Sequence, residues 1–318
     1  MTTGLAVTAA ACSSEKPGTV AKDGSVTIKH AFGDTKIPSP PKRVVSAGYN
    51  EQDDLLAVGM VPVAVTNWFG DQPFGVWPWA QPKLGTAQPV VLDLSNGIQI
   101  DQIATLKPDL IVATNAGLDA DTYAKLSAIA PTVAQSGEDA FFEPWKDQAN
   151  TIGQAVFRDA DMGKLISDLG DKFVNAGKSN TSFSGKKVFM VRGAIIGDVA
   201  EITPSGWRTE FLTQMGFVIG GGLDNYVDQG GNGTSALVPR DKMASVLDTA
   251  DVLIWTTESD QEQAALLADP TFAALKATRN NRNVLTGMDL AGAITFATVL
   301  SYGMVADRLP ALIAKVLA

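Results

Sequence analysis

Between Asp159 and Lys178 the chain reads DADMGKLISDLGDKFVNAGK, and this stretch limits what the rest can fold into. Met162, Leu165, Ile166, Leu169, Phe173 and Val174 recur at steps of three, one, three, four and one, a single stripe of an amphipathic helix. Strand-like alternation is absent. At about 1.5 Å per residue the stretch predicts a rod of roughly 30 Å, enough to cross from one small domain to another. The alternative is a crossover helix inside one sheet, and the flanking sequence decides between the two.

The 318 residues leave room for a lobe on either side, and 45% hydrophobic against 19% charged residues can bury substantial cores. A net charge of −9, with no basic run longer than two residues, argues against nucleic acid or an anionic membrane face as a partner. The only cysteine is Cys12, so intramolecular disulfides and cysteine metal cages are excluded. Leu5 to Ser14, LAVTAAACSS, followed by polar residues to Asp23, resembles the end of a bacterial lipoprotein signal peptide. That resemblance implies lipidation at Cys12, residues 1–25 as signal remnant and tether, and an extracytoplasmic location. Ala9 stands where such motifs usually carry Leu, and a tail with an incidental thiol is the alternative. No other segment is long and apolar enough to span a bilayer.

Val26 to Pro38 reads as two short strands turning at Gly33-Asp34, and the single histidine, His30, is assigned no role there. Val44 to Gly48 is a buried strand. Asn50 is expected to cap a helix with Leu55, Leu56 and Val58 on its apolar side, and Val61 to Thr66 follows as the next strand. This order indicates a parallel sheet, with ligands expected at the carboxyl ends of the strands. Asn67 to Gln81 leaves such an end and concentrates Trp68, Phe69, Phe74, Trp77 and Trp79. Rings in such a loop either roof a core or line an apolar site. Trp68 and Phe69 are nearest the strand. Tyr49, and Asn115 beyond the strand ending at Thr114, complete the ligand candidates of this half.

After the long stretch the pattern starts again. Val188 to Val191 is a strand ending at Arg192, Pro204 to Arg208 a turn, Asp251 to Trp255 a buried strand, Asn283 to Met288 another, and Thr295 to Val316 a final helix bent at Pro310. Asp101 and Asp241 each open a short helix before the buried strand that follows Asp109 or Asp251. The residues therefore support two similar α/β lobes joined by one rod.

Motifs for catalysis are scarce: there is no Gly-x-Ser-x-Gly elbow and no His-Glu-x-x-His, and Gly177-Lys-Ser179 lacks the P-loop glycine because position 172 is Lys. An enzyme working through paired carboxylates stays open. Binding is better supplied. Arg192, Arg208 and Arg240 sit at loops or element ends, Arg192 directly after a buried strand, and Trp207 can offer a ring beside Arg208. An aromatic wall opposite an arginine wall suits a bulky organic anion.

Pro41-Lys-Arg-Val-Val-Ser46 with Val61-Pro-Val-Ala-Val65, Ile103-Ala-Thr-Leu-Lys-Pro-Asp-Leu-Ile-Val112 and the 159–178 helix together resemble the class III solute-binding proteins of ABC importers, the group with a single connecting helix. The resemblance implies two three-layer α/β lobes, 26–158 and 179–318, around the helix. It implies a monomer that carries a ferric siderophore, or next haem, or cobalamin, to a permease, without turnover and without a cofactor or protein metal site of its own. It further implies permease docking through Asp101 and Asp241, with Arg192, Trp207 and Arg208 near the ligand. A cell-surface scaffold for a protein partner is the remaining alternative.

Overall fold

Residues 18–137, 139–227 and 233–318 are described in the computed structural model, and Cys12 lies outside them. Val26–His30 (β1) and Gly33–Ile37 (β2) pair antiparallel, with His30 opposite Gly33. Gly33 and Asp34, expected as the turn, open β2 instead, and the turn falls on Ala31 and Phe32. The Gly18 N–H donates to the Thr27 carbonyl at 2.9 Å, so the chain is already folded ahead of Val26.

Among the described residues the first lobe is built on five parallel strands, Val44–Ser46 (β3), Ala64–Thr66 (β4), Val90–Leu92 (β5), Leu110–Ala113 (β6) and Thr132–Ala134 (β7), in the order β5-β4-β3-β6-β7. The order reverses between β3 and β6, so the loops leaving their carboxyl ends part and leave a crevice. β6 is buried on both faces, as its unbroken Leu-Ile-Val-Ala run requires.

The second lobe holds Lys187–Arg192 (β8), Val199–Thr203 (β9), Val218–Ile219 (β10), Ala236–Pro239 (β11), Val252–Thr256 (β12) and Asn283–Leu285 (β13), ordered β11-β9-β8-β12-β13. β10 runs parallel to the start of β8, while β9 lies antiparallel along its end. Neither β9 nor β11 was expected from sequence. Ala200 and Ile202 of β9 are buried while Glu201 and Thr203 face the other way, the alternation of a half-covered strand.

The connecting helix runs Asp159–Ser179. It buries Met162, Leu169 and Phe173 in one core with Ala57, Trp145 and Ala149 of the first lobe and Phe211, Leu212 and Tyr302 of the second. Leu165 and Ile166 pack on its edge. The expected terminal helix, Thr295 to Val316, is Val299–Leu317; a further helix not expected from sequence, Gly287–Phe296, takes in the end of the expected 283–288 strand and is separated from the terminal helix where Ala297 takes a left-handed φ of 52°. Thr298 then starts the second helix with a capping box: its Oγ1 accepts from the Ser301 N–H at 3.1 Å, and Ser301 Oγ accepts from the Thr298 N–H at 2.8 Å. Pro310 lies inside that helix.

Candidate functional site

The loops at the carboxyl ends of both sheets face each other across a cleft of about 230 Å³. From the first lobe come Trp68, just past β4, and Phe142, in the segment after β7. Trp68 is fixed by rings on several sides: Tyr49 stacked at 5.2 Å, Phe69 edge-on at 4.7 Å, Phe142 at 5.1 Å and Phe296 of the second lobe at 5.2 Å. Phe142 sits at a φ of 57°. Its N–H donates to Asn115 Oδ1 at 2.9 Å, which holds the backbone in this unusual conformation.

The second lobe supplies Met190 and Arg192 from β8, Glu201 and Thr203 from β9, Ser235 before β11, Thr256 at the end of β12, and Arg208. Arg208 follows a turn fastened by Thr209, whose Oγ1 donates to the carbonyl region of Pro204 and Gly206 and accepts from the Gly206 N–H. Its guanidinium lies 4.3 Å from the Trp207 ring and 5.2 Å from the Phe142 ring, a cation held between aromatic faces from both lobes. Burial pulls Arg208 down from the ordinary arginine value, and it makes no ion pair among the described residues. Arg192 is already engaged: Nη1 is 3.4 Å from Glu201 Oε2 and Nη2 3.9 Å from Glu258 Oε1. Burial pushes the Glu258 carboxyl up, and Arg192 pulls it back.

Of the residues singled out from sequence, the cleft thus gathers Trp68, Arg192 and Arg208, with Trp207 behind Arg208. Tyr49 and Phe69 support Trp68 from behind. Trp77 is core, 1% exposed, stacked on Trp79 at 4.8 Å. A Cβ on Gly70 or Gly292 would lie 2.6 or 2.7 Å from the Trp77 ring, so both glycines make room for it. Trp79 donates from Nε1 to Asp53 Oδ2 at 2.6 Å. These two rings seal the lobe boundary instead of lining the cleft. Asn115 is fully buried as a fastener, its Nδ2 donating to Asn50 Oδ1 at 2.9 Å while Asn50 Nδ2 donates to the Phe296 carbonyl at 2.8 Å. Asn50 therefore ties the lobes together and does not cap its helix through its side chain. Arg240 is bound to Asp269 at 2.9 Å and stands away from the cleft lining. Asp101 and Asp241 are exposed in the first turns of their short helices, as expected, Asp241 beside Lys242 at 3.2 Å.

Phe142, Glu201 and the hydroxyls of Thr203, Ser235 and Thr256 were missed. The strand-end rule that pointed to Trp68 also applies to Thr256, and the alternation of VAEIT points to Glu201 and Thr203, whereas Phe142, eight residues past β7, carries no such signal.

A second unanticipated feature lies below the cleft. Helix Glu51–Ala57 is buried along its whole length, with Glu51, Asp53 and Asp54 each at 0% exposure. Asp53 Oδ2 accepts from Thr298 Oγ1 at 2.7 Å, and Asp54 accepts from Gln148 Nε2 at 2.9 Å and from the Val299 N–H at 3.4 Å. Two carboxyls of one lobe thus meet the N-terminus of the last helix of the other, where a helix dipole favours negative charge. Burial still prevails, pushing Glu51 up to about 7, Asp53 to about 6 and Asp54 to about 8. Among the described residues no group of three or more His, Cys, Asp or Glu side chains is arranged to hold a metal ion.

The profile of the periplasmic binding protein family matches residues 44–290. A crystal structure of a periplasmic solute binding protein from Mycobacterium smegmatis superposes with a TM-score of 0.87 at 62% identity, covering 93% of this chain and all of that one (100%). The probable siderophore-binding lipoprotein YfiY of Bacillus subtilis is 32% identical over 214 residues, 65% of this chain and 62% of its own length. A second Bacillus subtilis protein, provisionally named an ABC transporter substrate-binding lipoprotein, is 28% identical over 219 residues, 67% of this chain. The match spans 64% of that protein, so this chain covers just under two thirds of either relative.

Proposed function

The chain belongs to the periplasmic binding protein family, and from that membership we propose that it is the extracytoplasmic substrate-binding protein of an ABC importer, carrying a ferric siderophore between its lobes. The observation that carries this reading is Arg208, a cation set between Trp207 and Phe142 at the cleft wall and free of any carboxylate partner among the described residues. A ferric siderophore brings its own oxygen ligands to iron and needs from the protein only rings, hydroxyls and charge. Trp68, Thr203, Ser235 and Thr256 supply these beside the guanidinium. Similarity to a siderophore-binding lipoprotein supports the same cargo and an anchored, extracytoplasmic setting, with Cys12 as the lipidated residue. The exposed Asp101 and Asp241, one on each lobe, serve as docking points for the permease. The protein works as a monomer and transforms nothing.

Titration of the purified chain with ferric hydroxamate, ferric catecholate and mixed-ligand siderophores, haemin and cobalamin, followed by tryptophan fluorescence, tests this. Saturable quenching by a ferric siderophore is expected, with affinity lowered at least about tenfold in Arg208→Ala. Quenching by haemin or cobalamin alone, or by none, refutes the siderophore reading.

A further inference from the structure

The two arginines of the cleft stand in opposite circumstances. Arg208 has rings against it and no acid, whereas Arg192 is met by Glu201 on one side and Glu258 on the other. Glu201 is itself held in place, its Oε1 accepting from Ser235 Oγ at 2.5 Å. Both acids are about two-thirds covered, at 34% and 30% side-chain exposure, so solvent screens them only in part. With Glu258 counted, two guanidinium and two carboxylate charges cancel at the cleft wall.

Resting on the siderophore reading above, we infer that Glu201 and Glu258 make this cleft charge-selective: together they balance Arg192 and Arg208, so that the site accepts ferric complexes near zero net charge, the tris-hydroxamate type, and rejects trianionic tris-catecholates. Three monoanionic hydroxamates balance iron(III), whereas three dianionic catecholates leave three negative charges on the complex surface. A site built for the latter needs a surplus of cations. This one holds no surplus: the two carboxylates offset both guanidinium charges, although only Arg192 meets an acid directly. Side-chain rearrangement does not alter the balance, because an anion that drew Arg192 away would leave both carboxylates beside it without a cation. The rest of the lining fits a neutral complex: Thr203 offers a hydroxyl to carbonyl and hydroxamate oxygens, Ser235 and Thr256, whose hydroxyls already donate to Glu201 and to the Val191 carbonyl, offer acceptor oxygens, and Trp68 and Phe142 cover the apolar ligand backbone. Like-charge juxtaposition at a partly desolvated wall is a strong means of excluding the wrong partner.

The experiment compares ferrichrome, a neutral tris-hydroxamate, with ferric enterobactin, a trianionic tris-catecholate, on wild type, Glu201→Gln, Glu258→Gln and the double variant. Ferrichrome is expected to bind wild type at least about tenfold more tightly, and the double variant to narrow that ratio by about tenfold through gain of the catecholate. Wild type alone gives a second reading that no folding defect can obscure: ferrichrome affinity stays level as salt rises to about 0.5 M. Equal or tighter binding of ferric enterobactin by wild type, a ratio unmoved in well-folded variants, or a salt-dependent ferrichrome affinity overturns the charge selection and leaves siderophore transport standing. Failure of wild type to bind any ferric siderophore overturns the transport reading itself, and this inference with it.

Discussion

Trp68 and Trp77 leave the same loop nine residues apart and do different work, because only one of them meets a glycine floor. Trp77 is enclosed where Gly70 and Gly292 give way to it, and Trp68 ends in the cleft among Tyr49, Phe69 and Phe142. Trp77→Ala should therefore cost roughly 3–5 kcal/mol of unfolding free energy in a denaturant titration. Trp68→Ala, at a half-buried ring, should cost less than that and remove most of the ligand-dependent quenching. A stable Trp77→Ala, or full quenching without Trp68, would reverse the assignment. Composition marked this loop as aromatic and strand order placed it at a ligand-facing edge, so the site's neighbourhood was legible. Which ring turns inward was not, since that depends on Gly292, 215 positions away in the chain. Phe142 was hidden for the same kind of reason: its direction comes from a left-handed backbone held by Asn115.

Helix Glu51–Ala57 carries a lesson at the next scale. Its sequence, EQDDLLA, offers the polar face of an ordinary surface helix, and Leu55 and Leu56 suffice for one apolar side. Burial of Asp53 and Asp54 as well follows from the terminal helix closing over them from 245 residues away in the chain, and from Trp79, 26 residues beyond Asp53. The break at Ala297, which aims the capped N-terminus of Val299–Leu317 at Asp53 and Asp54, was equally invisible in a continuous apolar run. The arrangement has a pH signature. Glu51, Asp53 and Asp54 have folded values of about 7, 6 and 8, above the roughly 4 of an unfolded chain, so the folded state binds more protons between those limits. Their stabilising contribution is complete below the unfolded value and is lost as pH rises through the folded ones. His30, held down by burial, acts in the opposite sense below its ordinary 6.5, which makes pH 6.5 to about 8.5 the informative window. Stability there should fall with rising pH by an amount on the order of 2 kcal/mol. Asp54→Asn, which keeps a neutral group beside Gln148, should flatten the slope. A stability that climbs from pH 6.5 to 8.5 would contradict the buried acids.

The two lobes were legible as wholes because each repeats strand, helix and strand with its own apolar runs, and the 159–179 rod separates them cleanly. Their junction was not, because it is made of tertiary contacts: the shared core around Met162, Leu169 and Phe173, the Asn50–Phe296 bond and the carboxyls on the last helix. That junction bears on the proposed transport role. Asp101 and Asp241 ride on separate lobes, so under the proposed docking a permease that holds both also senses the distance between them; Asp101→Arg with Asp241→Arg should then abolish uptake and leave ligand affinity unchanged, and unimpaired uptake would refute the proposed docking points. With one rod, a common core and a buried polar clasp resisting rotation, ligand binding has little hinge to work with. Opening by tens of degrees would part the Trp77–Gly292 contact and expose Asp53 and Asp54 to water, at a cost that cleft contacts would have to exceed. The radius of gyration in solution should accordingly change by less than about 1 Å between free and ligand-saturated protein. Contraction of several ångströms would mean that the clasp opens in the free state, and that the permease reads closure of the lobes and not a preset spacing between Asp101 and Asp241.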